Sequence, residues 1–498
     1  MSLLSLLFFS LLSLSNSTPL KKPHPLPILP LPSSQQLQWQ LGSTAMFLHF
    51  GPNTFTDSEW GSGKAPPSVF NPTRLNATQW VQTAKASGFS RVILTAKHHD
   101  GFCLWPSEYT DYSVKSSPWR NGTGDVVAEL ASAAAAEGIG LGLYLSPWDR
   151  HDRAYGKTVE YNEFYLSQMT ELLTKYGEIK EVWLDGAKGK GEKDMEYYFT
   201  TWFSLIHQLQ PGAVIFSDAG PDVRWIGDEA GVAGSTCWSL FNRTDAKIGD
   251  TDPLYSQEGD GFGQDWVPAE CDVSIRPGWF WHALESPKPV GKLLDIYYNS
   301  VGRNCLLLLN VPPNSSGLIS EEDVKVLEEF SEVKRSIFDN NLARKAVVNS
   351  SSVRGGEFGA ENVLEEGLDK YWAPEEKQKE WELYLEFRDP VSFNVLEVRE
   401  PIQMGQRVAS FHLEVRSVKS GKWERVVTGT TVGFKRLLRF QRCETRSVKF
   451  VVEKARADPL ISYLGVYMDK FSDLGRDSSK ITVTRTLQEE LVLNDFKR

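Results

Sequence analysis

Glu181-Val182-Trp183-Leu184-Asp185-Gly186 is a β-favouring run that ends on a carboxylate and a glycine. A buried strand of a parallel α/β barrel reads this way when it delivers an acid to its carboxyl end and then turns. Active sites of such barrels lie at that end. The competing use of Asp185 is to cap the turn or helix that follows. The rest of the chain bears on the choice.

Working outward, short apolar runs recur at 45–50, 91–96, 141–146, 213–217 and 305–310. Helical patterns separate them at 77–87, 125–137, 161–176, 197–209 and 291–300. Alternation of this kind over residues 35–338 predicts an α/β fold, a (β/α)8-like barrel rather than an open doubly wound sheet. No glycine-rich phosphate fingerprint follows any run, which removes the main reason to expect a nucleotide-binding fold. The stretch 218–277 is rich in Gly, Asp and Trp, shows neither period, and is expected to build one wall of the site.

Polar groups collect where the runs end. His49-Phe50-Gly51 closes the first, with Glu59-Trp60 in the loop after it. Lys97-His98-His99-Asp100 closes the second. Tyr144 lies in the third, which ends in Ser146-Pro147-Trp148-Asp149, and Asp185 ends the fourth. A lone histidine is most often a satisfied structural residue. Three histidines, a Glu and a Tyr at strand ends can instead hold the hydroxyls of one small sugar, with Trp60 or Trp183 against its apolar edge. A divalent metal is the rival use of His98, His99 and Asp100, or of His151-Asp152. Adjacent strand residues point to opposite faces, so His98 and His99 share one ion only if the strand has already broken.

Composition narrows the partners. Sixteen tryptophans and an aromatic share of 12% suit a carbohydrate ligand, since rings stack on the apolar faces of sugars. A net charge of −10 without a basic stripe argues against nucleic acid and anionic membranes. The five cysteines (Cys103, Cys237, Cys271, Cys305 and Cys443) have no metal-type spacing, and the odd count leaves at least one thiol unpaired. Residues 1–17 read as a signal peptide and 18–34 as a proline-rich, extended and poorly ordered lead-in. Sequons at Asn76, Asn121, Asn242, Asn314 and Asn349 fit the secretory route, so the mature protein is expected to be secreted and extracellular, with no membrane helix.

The motifs Leu48-His49-Phe50-Gly51, Glu59-Trp60, Lys97-His98-His99-Asp100-Gly101-Phe102, Tyr144-Leu145-Ser146-Pro147-Trp148 and Val182-Trp183-Leu184-Asp185-Gly186 together resemble glycoside hydrolase family 29, the α-L-fucosidases. The resemblance covers nearly the whole mature chain and is greatest to plant enzymes of the α-1,3/4 subgroup, which act on Lewis-type glycans and occupy the apoplast. It implies a retaining mechanism without metal or cofactor. Asp185 then matches the nucleophile. His49, Glu59, His98, His99 and Tyr144 match residues that hold fucose hydroxyls, and Trp60 and Trp183 match aromatic walls. Trp281, in Arg276-Pro277-Gly278-Trp279-Phe280-Trp281-His282, is expected near the sugar's methyl group. The stretch Trp225-Ile226-Gly227-Asp228-Glu229-Ala230-Gly231 nominates Glu229 as acid/base. Glu270, in Pro268-Ala269-Glu270-Cys271-Asp272, is the alternative, or a ligand of the sugar that carries the fucose.

Beyond the barrel, residues 339–475 change to period-two runs at 381–387, 393–398, 410–415, 437–440 and 447–452. These predict an all-β sandwich. Lys370-Tyr371-Trp372-Ala373-Pro374 resembles the signature of galactose-binding-like modules, many of which only pack against a barrel. The tail 476–498 is charged, and its run 481–486 is a further strand candidate. Two other functions remain open to the sequence, a fucose-binding lectin without catalysis and a metal-dependent sugar enzyme. Linkage and oligomeric state are not encoded legibly.

Overall fold

The computed structural model describes residues 23–471. Eight parallel strands close a barrel in chain order: β1 (Thr44–Leu48), β2 (Arg91–Lys97), β3 (Gly140–Leu145), β4 (Glu181–Trp183), β5 (Val214–Ser217), β6 (Val223–Trp225), β7 (Ala269–Ser274) and β8 (Leu306–Asn310). β8 pairs back onto β1, with Thr44 opposite Leu307. The six strands expected from the apolar runs are all present. The two that were not expected, β6 and β7, lie in or at the end of the stretch that showed no period.

Alternation along the strands divides two cores. Ala45, Phe47, Ile93, Tyr144, Trp183, Val214, Phe216, Leu306 and Leu308 fill the barrel interior. Met46, Leu48, Val92, Leu94, Val182 and Leu184 face outward and pack on the surrounding helices. The stretch 181–186 shows the rule at work. Glu181 is buried at the barrel floor, where it accepts hydrogen bonds from Trp39 Nε1 (2.8 Å) and Arg91 Nη1 (3.0 Å). Trp183 lies one layer higher, stacked on Phe216 (4.0 Å, 8°). Asp185 comes next, at the mouth.

The β5–β6 connection is five residues, 218–222, with no helix. The length saved there is spent after β6, where 226–268 folds into a short ribbon (Leu240–Phe241 with Asp265–Trp266) and the helix Pro253–Glu258. Arg224 ties this excursion down by donating to the carbonyls of Ser256 (2.9 Å) and Trp238 (2.9 Å). Cys271 on β7 is bonded to Cys305, just before β8, and Cys103, Cys237 and Cys443 are free. No helix among the described residues is long and apolar enough to cross a membrane.

The helix Glu321–Phe338 ends the barrel part, and antiparallel strands follow. Five of them, Ala346–Ser350, Trp381–Arg399, Arg436–Ala455, Val408–Arg416 and Trp423–Gly429, pair in that spatial order, and Tyr463–Tyr467 adds to Trp381–Arg399. The four runs read separately at 381–387, 393–398, 437–440 and 447–452 belong to two long strands. Each bends through a register shift, between Glu386 and Val391 and between Phe393 and Val395 on the first, so that one chain serves both faces of the core. Leu383, Leu385, Phe411, Leu413, Phe450 and Val466 fill that core.

The described part of the lead-in, residues 23–34, is ordered, contrary to the expectation from its proline-rich composition. Arg354 Nε donates to Pro23 O (2.9 Å), Arg407 Nη2 to Leu26 O (2.6 Å) and Arg456 Nη2 to Leu29 O (2.9 Å). Three guanidinium groups of the β domain thus supply the partners that an extended segment cannot provide for itself. The expected signal peptide and the strand candidate at 481–486 lie outside the described residues.

Candidate active site

The carboxyl ends of the strands surround a cleft of about 380 Å³, lined by Phe47, His49, Glu59, Trp60, His98, His99, Tyr144, Trp183, Asp185, Asp218, Trp225, Glu229, Asp272 and Trp279 among others. Trp80, Trp105, Trp202 and Trp372 are fully buried elsewhere, so the tryptophan count divides between core and cleft.

Asp185 stands at the end of β4 with both carboxylate oxygens engaged. Tyr144 Oη donates to Oδ2 (3.0 Å) and the Ala187 amide to Oδ1 (2.7 Å). His99 Nε2 lies 3.6 Å from Oδ2. One donor from β3 and one from the loop after β4 fix the carboxylate's plane, as an acid that must meet a substrate atom requires. The glycine after it answers to packing rather than to a turn, since Gly186 lacks a positive φ. A Cβ there would lie 2.5 Å from Asp218 Oδ1 and 2.6 Å from its Cγ.

Four further acids lie near. Glu229, in the loop after β6, opens to solvent at the mouth but is crowded by protein on most sides. That crowding raises its pKa. The Trp279 Nε1–H bond (3.3 Å) opposes the rise, and the charges of Asp185, Glu59 and Asp228 add to it. Asp228 turns away, accepting from the amides of Ala230 (2.8 Å) and Val232 (3.3 Å) and from Gln257 (2.9 Å). Asp218, at the end of β5, accepts from the Gly249 amide (2.8 Å), and burial with the Asp185 charge pushes its pKa up to about 6. Asp272 accepts from Trp225 Nε1 (2.8 Å), and burial followed by the Glu229 charge holds it well above the usual carboxylate range.

Glu270 does not reach the cleft. On β7 residues 270, 272 and 274 share the inward face, and each step of two climbs about 6.6 Å. Glu270 therefore sits a layer below Asp272. Its Oε1 accepts from Trp183 Nε1 (2.8 Å), and burial with the nearby Glu181 raises its pKa strongly. A carboxyl placed there buttresses the floor and is not among the residues that line the cleft. Trp281 is likewise absent from the lining, whereas Trp279, two residues earlier, forms part of it. Its ring lies 5.1 Å from that of His49 and 6.4 Å from that of Phe47.

The three histidines meet because β2 breaks its register after Thr95 and ends at Lys97. His98 and His99 then leave the strand geometry and both face the cleft. Lys97 instead points outside the barrel, buried, and donates to Asp149 Oδ2 (3.0 Å) and Gln168 Oε1 (2.9 Å). Burial lowers the pKa of all three imidazoles, that of His49 to about 3, with only partial opposition from Asn310 at His49 and from Asp185 at His99. They are neutral, and their partners assign the tautomers. His49 Nδ1 bonds Asn310 Oδ1 (2.8 Å), the oxygen that also accepts the His49 amide. His99 Nδ1 bonds Ser146 Oγ (2.8 Å), whose hydroxyl is committed to Trp148 O (2.6 Å). Nε2 of each ring is left as an acceptor for a sugar hydroxyl. His98 stacks on Tyr144 (5.7 Å, 16°). Trp60, half exposed at 51%, stands edge-on to Trp148 (5.4 Å, 82°) and forms one lip. His151, the rival metal ligand, stacks on Tyr112 (3.8 Å, 10°) and bonds Gly63 O (2.7 Å).

Sequence reasoning did not select Asp218, Trp225, Asp272 or Trp279. The period-two series 270, 272, 274 would have nominated Asp272, because only its phase separates the upper acid from the lower. Of the sequons, Asn76, Asn121 and Asn349 are exposed. The Asn242 and Asn314 amide nitrogens donate within the fold, to Asp260 (2.9 Å) and Ser320 (3.1 Å).

Carboxylates, neutral imidazoles and indole walls at the mouth of a parallel barrel are the equipment of a glycoside hydrolase. A model of the α-L-fucosidase family matches residues 37–333. The α-L-fucosidase 1 of Arabidopsis thaliana is 82% identical over 496 residues, 98% of each chain. The Ruminococcus gnavus GH29 fucosidase in complex with fucose aligns with a TM-score of 0.84 and 37% identity, over 90% of this chain and 97% of that one. The crystal structure of SpGH29 aligns at 0.86 and 40%, over 89% and 100%. The chain belongs to the α-L-fucosidase family of glycoside hydrolases.

Proposed function

We propose that the protein removes terminal α-1,3/4-linked L-fucose from Lewis-type glycans and glycoproteins, with retention of configuration, by double displacement. Asp185 attacks the anomeric carbon, and the bond to the departing glycan oxygen breaks as Glu229 gives that oxygen its proton. Glu229 then takes a proton from water, whose oxygen displaces Asp185 and frees fucose. The observation that carries this reading is the contrast between two acids in one cleft: Asp185 held by two hydrogen-bond donors, and Glu229 crowded by protein and near the charges of Asp185, Glu59 and Asp228, which raise its pKa. His49 and His99 accept hydroxyl protons through Nε2, and such contacts raise the rate where they strengthen at the oxocarbenium-like transition state. Digestion of α-1,2-, α-1,3-, α-1,4- and α-1,6-fucosylated oligosaccharides, followed by proton NMR of the first-formed fucose, tests it. The expected result is release from the α-1,3 and α-1,4 substrates as the α anomer. Initial β-fucose, or preference for α-1,2 or α-1,6 linkages, overturns it.

The same proposal places the enzyme outside the cell, in the apoplast. It rests on the apolar leader at 1–17 and on the exposed sequons Asn76, Asn121 and Asn349. Amino-terminal sequencing and deglycosylation of protein recovered from the medium of expressing plant cells test it; a cell-retained, unglycosylated product contradicts it.

A further inference from the structure

One ionic contact at the cleft mouth is built from residues that line the cleft on one side only. Glu59 and Trp60 belong to the loop after β1, and Trp279 to the loop after β7. Glu59 Oε2 accepts the Trp279 amide (2.9 Å) and Oε1 the Phe280 amide (3.2 Å). His282 lies behind them. Its Nε2 is 2.6 Å from Glu59 Oε1, and its Nδ1 is 2.6 Å from Asp57 Oδ1. Ionised carboxylates only accept hydrogen bonds, so a ring at hydrogen-bond distance from two of them carries a proton on each nitrogen. The packing is specific. A Cβ on Gly278 would lie 2.7 Å from Glu59 Oε1 and 3.0 Å from His282 Nε2, so only glycine lets the loop close onto the pair.

We propose that His282 is a positioning residue: as an imidazolium bridging Asp57 and Glu59, it clamps the Trp60 lip to the Trp279 wall and sets the width of the fucose pocket. It acts through Glu59, since His282 itself is not part of the cleft lining. The inference rests on the reading of Glu59, Trp60 and Trp279 as the sugar-holding walls. The charged groups that face the ring are Asp57 and Glu59 across the gap and Glu285 on its own loop, all negative. Burial of the ring lowers its pKa, but the two carboxylate bonds outweigh that, and the net shift is upward. The clamp is therefore complete below the ordinary histidine range and is lost as pH rises through the elevated value. KM for fucosides should climb there, with kcat less affected, because the chemistry at Asp185 is untouched.

The test is KM and kcat for an aryl α-L-fucoside, and the inhibition constant of free fucose, against pH for the wild type, His282→Gln, His282→Asn and Asp57→Asn. His282→Asn, too short to reach Glu59, should raise KM and the fucose constant about tenfold and abolish the alkaline rise in KM. His282→Gln, which restores a donor to Glu59 without charge, should recover part of the affinity but none of the pH dependence. Asp57 is exposed at 83% of its side chain, so its removal leaves folding intact. Asp57→Asn takes away one group that raises the ring's pKa and should move the KM rise to lower pH. An unchanged pH profile in Asp57→Asn, or a loss in kcat alone in the His282 variants, overturns the clamp. If the wild type turns over fucoside but fucose fails to inhibit it at any pH, the assignment of the walls falls as well.

Discussion

Gly186→Ala tests how tightly the acid at the end of β4 is held. Alanine suits the backbone there, because Gly186 has no positive φ, so any cost arises from contact. Its Cβ would lie 2.5 Å from Asp218 Oδ1 and 2.6 Å from Asp218 Cγ. Non-bonded heavy atoms rest near 3.5 Å, so relief demands a movement of roughly 1 Å. Asp218 is short and pinned by the Gly249 amide at 2.8 Å, which leaves the loop carrying Asp185 as the part that yields. Misplacement of a reacting group by about 1 Å costs on the order of 10²-fold in rate. We expect kcat on an aryl α-L-fucoside to fall about 100-fold with little change in melting temperature, since the loop contributes little to the core. Asp218→Ala removes the obstructing atoms, so the double variant should run at least about tenfold faster than Gly186→Ala alone. Wild-type kcat in Gly186→Ala, or the same loss with Asp218 already removed, would refute the argument.

Four other outcomes follow from the same geometry. Glu229→Ala should lose about 10²- to 10⁴-fold on a fucosylated glycan but far less on an aryl fucoside whose leaving group needs no proton; equal losses would move the acid elsewhere. Because the Glu229 pKa is raised, its protonated fraction falls as pH rises through a value above the ordinary glutamate range, so the alkaline limb of kcat on glycans should lie higher than an exposed Glu would give and should vanish in Glu229→Gln. Glu270→Gln, a layer beneath the cleft, should keep kcat/KM within about threefold, and a loss near 10²-fold would return it to the site. Lys97→Met strands the buried Asp149 carboxylate and should destabilise the fold by about 3 kcal/mol in urea unfolding; a change below about 1 kcal/mol would show that the His151 and Asp152 amides satisfy Asp149 alone.

Much of this was legible because strand ends carry two signals at once. β4 announces itself by apolar residues that stop at Asp185, and β1, β2 and β3 by runs that stop at polar groups. β6 has three residues, too few for a period to show. β7 carries Glu270, Asp272 and Ser274 on its inward face, so its alternation is polar against Cys271 and Val273, the reverse of the usual dressing. Naming Glu270 and Trp281, where Asp272 and Trp279 line the cleft, is a difference of depth: motif identity fixes the neighbourhood, whereas the pleat and the loop path fix which of two nearby residues faces the cleft. The β-domain runs were recognised as strands but not as halves of two bent ones, because a bulge breaks the sequence pattern without breaking the chain's direction. The order of the lead-in depends on Arg354, Arg407 and Arg456, more than 300 residues away, which no local window contains. The same holds for His282, whose two carboxylates lie more than 200 residues earlier.

The claim on which the account depends is that Asp185 becomes covalently bonded to the sugar. Incubation with a slow-reacting 2-fluoro-fucosyl donor, proteolysis and mass spectrometry should find one fluorofucosyl group on the peptide containing Trp183, Leu184 and Asp185, attached at Asp185. A label on Glu229, Asp218 or Asp272, or an inhibited enzyme that carries no label, would contradict it.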